Sequence, residues 1–312
     1  MRKRAQCVCA LLLTAFTTVS AFAGDVRLSL IDGTLRVGGD DAGNRFFLLQ
    51  NAAGDLIALG FPGTTINGQQ VLRIPNATLE DIRVDLGGGG DNLGLGGLEV
   101  ANDVIINSGD GNDTVIQSNL PITIGGNLII RLGTGGDGAG FDGLTVGGDI
   151  DLRDPQGFQI SDFRNTVVAG DLNVVGSIDS DVLLFFESEI MGTLRVTSPG
   201  GGSTQISDVV AGELAIDLGT DEQGVAQIFD TIVTGNTTIT SGALVDLVDL
   251  IDTQVGGAVS VTLGAGDDFV QGANLEVSGT LLFDGGDGVD TLTDGGFTAL
   301  GGETVINIEI VN

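Results

Sequence analysis

The chain has 312 residues, and its 42 Asp and Glu outnumber its 12 Lys and Arg to give a formal net charge of −30 at pH 7. Nucleic acid and anionic membrane surfaces are therefore poor partners, because proteins bind both through Lys and Arg. Cations are the partners that this charge favours.

The first element in chain order is a predicted signal peptide over residues 1–23. Basic residues at positions 2–4 precede an apolar run from Ala10 to Phe16, and Ala-Phe-Ala at 21–23 precedes the expected cleavage point. The apolar run is shorter than the roughly 20 residues that a membrane-spanning helix needs, and no later segment supplies a span. We therefore expect a secreted, extracellular or cell-surface protein without a transmembrane segment.

Cleavage would remove both cysteines and the single Lys, which leaves residues 24–312 with nine Arg as their only cations and a net charge of −33. This segment also lacks His, Trp and Tyr. A Ser-His-Asp triad, a Cys nucleophile, a Lys Schiff base and a typical zinc site are thereby excluded. Among metals, the remaining carboxylates, hydroxyls and amides suit calcium, a hard ion that prefers oxygen ligands.

Residues 24–75 are predicted to form an N-terminal β cap. Two pairs of alternating apolar runs flank Asp32-Gly33 and Ala53-Gly54-Asp55, a pattern typical of β-hairpins. Such a segment would cover the apolar end and the unpaired strand edge of the repeats that follow.

A repeat of about 22 residues occupies residues 76–312. Its pattern is V-x-G-x-L-x-V, and its central anchor positions, 20 to 24 residues apart, are Glu80, Asn102, Gly126, Gly148, Gly170, Gly192, Gly212, Gly235, Gly257, Gly279 and Gly302. Apolar residues two before, two after and four after the anchor predict strands with one buried face. The anchor glycine shares their inward parity and predicts a corner at which no side chain fits.

Strands that recur with one inward pattern bury it best by stacking on the strands of the previous turn. The sequence therefore predicts an all-β fold, a right-handed parallel β-helix (solenoid) of about ten to eleven turns with an N-terminal β-hairpin cap. A strand spacing of about 4.8 Å makes this a rod roughly 50 Å long. No comparable cap is predicted after the last turn, so its apolar strands could pair with another copy of the chain.

Aspartate and glycine recur at fixed distances after the anchor. Asp stands 11 positions after it in seven turns, at Asp91, Asp113, Asp137, Asp181, Asp246, Asp268 and Asp290. Five turns carry the full string G-x-G-x-D, at residues 87–91, 109–113, 133–137, 264–268 and 286–290. These strings resemble the hemolysin-type RTX calcium repeat G-G-x-G-x-D-x-U-x, in which U is a large aliphatic residue. The resemblance implies that the glycines let turn carbonyls converge on an ion and that the Asp supplies carboxylate oxygens.

The pattern departs from that family in its turn of about 22 residues with one acidic loop, where RTX arrays place two nonapeptides in each turn, and in the predicted signal peptide, which RTX proteins usually lack. A three-sided parallel β-helix with RTX-like loops on one edge, similar to other bacterial secreted β-helix proteins, describes the pattern better. The predicted metal ligands, with calcium as the expected cofactor, are Asp91, Asp113, Asp137, Asp246, Asp268, Asp290 and Asp110.

Electrostatics supports this prediction, because stacked carboxylates about 4.8 Å apart repel by roughly 0.9 kcal/mol per neighbouring pair even in water. Bound cations would relieve the repulsion. The alternative is that the Asp side chains point to solvent, as turn residues and as charges that oppose aggregation.

We expect a non-catalytic structural or adhesive protein whose partners are calcium ions and extracellular glycans or other copies of itself. The alternative is a polysaccharide-binding protein or a polysaccharide lyase or hydrolase, since some bacterial β-helices have these activities. Asp267-Asp268 is similar to the paired acids of polygalacturonase-like enzymes, but that family also uses a His and a Lys, which residues 24–312 lack. A pectate-lyase-like site would need Arg beside bound calcium, and the outward-facing Arg131, Arg153 and Arg195 do not border the acidic column.

Overall fold

The computed structural model describes residues 24–220 and 222–312, so the predicted signal peptide over residues 1–23 lies outside the described part. The described residues form 34 β-strands and no α-helix. None of them therefore belongs to a helix that could span a bilayer. The prediction of an all-β fold is confirmed.

The strands of residues 24–75 are β1 (Gly24–Ile31), β2 (Thr34–Gly38), β3 (Arg45–Gln50), β4 (Leu56–Gly60), β5 (Thr64–Ile66) and β6 (Val71–Ile74). The next strands are β7 (Asp81–Asp85), β8 (Asn92–Gly96), β9 (Glu99–Val100), β10 (Val104–Asn107), β11 (Thr114–Gln117), β12 (Ile122–Ile124), β13 (Leu128–Arg131), β14 (Asp137–Asp142), β15 (Leu144–Val146), β16 (Ile150–Arg153), β17 (Gln159–Arg164), β18 (Val167–Val168), β19 (Leu172–Val175) and β20 (Asp181–Phe186).

The remaining strands are β21 (Glu189–Thr197), β22 (Gly202–Ser207), β23 (Val210–Asp217), β24 (Gly224–Phe229), β25 (Ile232–Val233), β26 (Thr237–Thr240), β27 (Leu247–Ile251), β28 (Gln254–Val255), β29 (Val259–Thr262), β30 (Phe269–Val277), β31 (Leu281–Asp284), β32 (Thr291–Ala299), β33 (Glu303–Ile306) and β34 (Ile310–Val311). The strands β21, β23, β30 and β32 are long because each one continues around a corner.

The strands stack in parallel as three faces, so each turn of the solenoid contributes one strand to each face. In one turn these are β13 on the first face, β14 on the second and β15 on the third, which pair with β16, β17 and β18 of the next turn. The stacking continues for about ten turns of about 22 residues. The prediction of a three-sided parallel β-solenoid is confirmed.

One continuous apolar core fills the solenoid. Leu172, Leu194 and Leu214 lie in register in three consecutive turns and are at most 2% exposed. A column of stacked phenylalanine rings, with centroids 5.6 and 5.8 Å apart, consists of Phe141, Phe163 and Phe185. Matching positions of consecutive turns therefore share a column, as the repeat predicts.

The anchor glycines from Gly126 to Gly279 lie at a corner that has no room for a side chain, whereas a Cβ added to Gly302 in the last turn would meet no atom within 4 Å. A Cβ added to Gly170 would lie 1.9 Å from Oδ1 of Asp149 and 2.9 Å from the carbonyl oxygen of Gly148. The same Oδ1 accepts a hydrogen bond from the backbone N–H of Asp171 at 2.8 Å, so the Asp149 side chain joins two turns at this corner.

Two antiparallel hairpins precede the first complete turn. β1 pairs with β2 around Asp32-Gly33, and β3 pairs with β4 around residues 51–55. β2 and β3 also pair in parallel with β7 and β8, so they stack directly on the solenoid. At the opposite end, β33 and β34 are exposed along their whole length.

Candidate cation-binding corner

The predicted acidic loops connect the first face to the second and stack on one another in register. Backbone bridges join Gly88 to Asp110, Asp110 to Thr134, and Thr134 to Gln156. We call this stack of loops the acidic corner, and we call the residues that lie in register with Asp113 in the other turns the acid column. By register, the acid column runs through Asn44, Asp91, Asp113, Asp137, Gln159, Asp181, Gly202, Gly224, Asp246, Asp268, Asp290 and Glu309.

The two glycines of each G-x-G-x-D string are required by the close approach of stacked turns. Gly111 has φ of +140°, and an added Cβ would lie 1.9 Å from the carbonyl oxygen of Gly89 in the preceding turn. The glycine spacing is thus explained by backbone packing alone.

The Asp side chains of the acid column are buried, so the alternative that they point to solvent is wrong. Asp91, Asp113 and Asp290 are at most 1% exposed. One oxygen of each carboxylate accepts a hydrogen bond from the backbone N–H of the residue one turn earlier in the column. The distances are 2.8 Å from Asp91 N to Asp113 Oδ1 and 2.8 Å from Asp268 N to Asp290 Oδ1.

The same hydrogen bond recurs along the column wherever an acid is present, and the remaining donors use backbone carbonyls. Asn44 N donates to Asp91 Oδ1 at 2.6 Å, and Asp290 N donates to Glu309 Oε2 at 2.8 Å. Asp137 N, which faces Gln159 in the next turn, instead donates to the carbonyl oxygen of Phe158 at 3.0 Å. The carboxylate therefore takes the place of a peptide carbonyl as acceptor.

Except at Asp181, whose Oδ2 accepts a hydrogen bond from the backbone N–H of Ser177 at 2.7 Å, the second carboxylate oxygen of each aspartate in the column has no hydrogen-bond donor. Within the described part of the chain, buried and unpartnered Oδ2 atoms occur in the column at Asp91, Asp113, Asp137, Asp246, Asp268 and Asp290. The Arg residues in described ion pairs bind Asp55, Asp151 and Asp162, none of which belongs to the column. In the described ion pairs, these buried carboxyl groups therefore have no basic partner.

Burial raises the pKa of Asp91 to about 7 and the pKa of Asp137 and of Asp268 to about 6. Hydrogen bonds from backbone N–H groups oppose this rise, whereas the neighbouring aspartates add to it. Burial also raises the pKa of Asp113. At neutral pH these groups require either a proton or a cation to offset the lost hydration.

Six of the seven predicted metal ligands therefore lie in one buried column, and the seventh does not. Asp110 is exposed in its loop, where its Oδ1 accepts a hydrogen bond from Thr134 Oγ1 at 2.9 Å. The sequence interpretation missed Asp154, which is 1% exposed, has an unpartnered Oδ2 and faces the same corner from the end of β16.

The donor set suits a hard cation such as calcium, which accepts carboxylate and backbone carbonyl oxygens together. No three acidic side chains of residues 24–220 and 222–312 approach closely enough to chelate a metal by themselves. An ion at this corner would therefore be held by unpartnered Oδ2 atoms with carbonyl oxygens of the stacked loops.

A second polar region lies on the outer surface of the first face. It is a groove whose lining includes Asp151, Arg153, Asn173 and Arg195. Arg153 Nε lies 3.0 Å from Asp151 Oδ1, and the Arg153 side chain is 57% exposed.

Comparison of the chain with protein-family models, with curated proteins and with solved structures found no match. The class of the protein, a parallel β-solenoid, therefore rests on its own fold.

Proposed function

We propose that this protein is an exported, non-catalytic structural or adhesive rod whose acidic corner binds calcium ions between stacked turns. The observation that carries the proposal is the row of buried Oδ2 atoms without donors, in a column without a basic residue. Calcium would supply the missing positive charge and join adjacent turns.

The residue inventory supports a passive role. Residues 24–312 contain no His, Lys, Cys, Tyr or Trp, so their candidate general acids and bases are carboxylates. The carboxylates of the acid column are buried and hold backbone N–H groups, a structural task that leaves them poorly placed to reach a substrate.

Calcium should raise the melting temperature, Tm, of residues 24–312, and a chelator should lower it. A ligand at 100 times its Kd stabilises a one-site protein by about 2.7 kcal/mol. For a domain of this size, each kcal/mol corresponds to ~2–4 °C in Tm. We therefore expect a rise of about 5–10 °C per tight site, measured by differential scanning calorimetry with calcium and with EDTA.

The double variant Asp113→Asn, Asp268→Asn separates calcium binding from ordinary stability. Asn keeps an oxygen acceptor for the backbone N–H but removes the charge, so the variant should melt at or above the wild-type Tm in EDTA and lose most of the calcium response. Glu276→Gln, an exposed acid on the third face, is the matched control and should respond as wild type does. A wild-type Tm that is the same in calcium and in EDTA would contradict the proposal.

The groove on the first face favours a second candidate function, the binding of extracellular glycans. Its exposed Arg153 and Arg195 side chains, beside Asp151 and Asn173, offer donors and acceptors for sugar hydroxyls and carboxylates. A glycan-array screen comparing wild type with Arg153→Ala and Arg195→Ala tests this function. Release of unsaturated oligosaccharides from acidic glycans would instead indicate a lyase.

A further inference from the structure

The turn that contains Asp154 lacks the G-x-G-x-D string, and its acid-column residue is Gln159. Gln159 lies between Asp137 and Asp181 in register, and its backbone N–H donates to Asp181 Oδ1 at 2.9 Å. By sequence motif alone, the row of acids would be interrupted here.

Asp154 supplies a carboxylate to this turn from the other side of the loop. It follows the buried Leu152 by two residues, so it has the inward parity of the core, and its Oδ1 accepts the N–H of Gln156 at 3.1 Å. The carboxylate is therefore turned toward the corner loop rather than away from it.

The next turn shows that a side chain at this position reaches the acid column. Gly176 stacks directly on Asp154, because Arg153 pairs with Val175. A Cβ added to Gly176 would lie 2.0 Å from Oδ2 of Asp181. The position of Asp154 and the acid column thus share one space, and the charge of Asp181 acts on Asp154.

Three oxygen atoms at this point have no donor: Oδ2 of Asp137, Oδ2 of Asp154 and Oε1 of Gln159. All three side chains are at most 4% exposed. The charges that act on Asp154 are those of Asp137, Asp181 and Asp179, with no Arg among them. One proton on Asp154 could join two of the three oxygens, whereas a cation could be shared by all of them.

We propose that Asp154, Gln159 and Asp137 form a further calcium site, which continues the row of ions through the one turn between Asp91 and Asp181 that lacks an aspartate in the acid column. The inference rests on the proposed calcium binding at the acidic corner. It assigns a site where the RTX-like string is absent, and it places a carboxylate in each of five consecutive turns, at Asp91, Asp113, Asp137, Asp154 and Asp181.

The test is the number of calcium ions bound per chain, measured by equilibrium dialysis of residues 24–312 and of folded variants checked by circular dichroism. Asp154→Asn should bind one calcium ion fewer than wild type. Asp151→Asn, which changes an acid on the outer side of the same strand, should bind the wild-type number. Adding Gln159→Asp to Asp154→Asn moves the carboxylate to the column and should restore the lost ion.

The outcomes separate this inference from the proposed function. If wild type binds no calcium, both are overturned. If wild type binds calcium and Asp154→Asn binds the same number, only this inference is overturned.

Discussion

Without divalent cations, the stability of this protein should fall as pH rises from 5.5 to 8. Burial raises the pKa of Asp91 and of Asp154 to about 7, and that of Asp137 and of Asp268 to about 6, from an ordinary value of 3.8. At pH values between the ordinary pKa and the raised pKa of each group, the folded chain binds protons that the unfolded chain has lost. The unfolding free energy therefore decreases as pH rises. By about pH 8 nearly the full cost of the buried charges is present.

The size of this fall in the unfolding free energy follows from 1.36 kcal/mol per pKa unit. From pH 5.5 to 8, ionisation of Asp91 and of Asp154 each lowers the unfolding free energy by about 2 kcal/mol, and ionisation of Asp137 and of Asp268 each lowers it by about 1 kcal/mol. The total is a fall of about 6 kcal/mol, spread over a broad range because the carboxyls interact. The chain has no His, so no imidazole titrates within this pH range.

Urea denaturation of residues 24–312 in EDTA, at intervals between pH 5.5 and 8, measures this fall. Saturating calcium should remove or reverse the slope, because calcium binds the ionised carboxylates. An unfolding free energy that stays constant or rises with pH in EDTA would refute the reasoning, since it would show that the acid column does not titrate above its ordinary range.

Three further changes test the fold and its association. Gly111→Ala should destabilise the protein by about 1–3 kcal/mol or more in urea denaturation, because the backbone is left-handed there and the preceding turn lies against it. Leu172→Ala should cost about 2–5 kcal/mol in the same assay, whereas Thr238→Ala on the exposed outer side of β26 should cost less than about 0.5 kcal/mol. If the last turn pairs with another copy, Val311→Asp should lower the mass measured by light scattering at high concentration, because Val311 occupies an inward column yet is 62% exposed; a monomeric wild type would exclude the pairing.

The solenoid could be predicted because its inward columns follow from one short pattern. Residues two and four after each anchor are apolar in almost every turn, and the structure places them in register in the core, as for Leu172 and Leu194. Such a pattern favours a stacked solenoid, since each turn can bury its apolar face only against its neighbours.

The positions of the acid column could also be predicted, but not its burial. The alternative that these aspartates point to solvent disagreed with their inward parity, which can be read from the sequence. Asp113 precedes the buried Val115 by two residues, and Asp154 follows the buried Leu152 by two, so both have inward parity. Asp154 was missed because it lies at the start of its loop, before the acid-column position, in a turn that lacks the repeated string.

Hydrogen bonding between turns does not by itself require carboxylates in the acid column. At the anchor corner the same task is performed by amides as well as acids, since Asn127 Oδ1 accepts the N–H of Asp149 at 2.9 Å and Asn236 Oδ1 accepts the N–H of Ala258 at 2.9 Å. An amide at the acid column could bond the N–H in the same way without placing a charge in the interior. The glycines and the hydrogen bonds of the G-x-G-x-D string are thus explained by stacking, but the negative charge of its Asp is not. Under the proposed calcium binding, a positive ion would share the corner with that charge, and the donor-free second oxygens of the column would bind the ion.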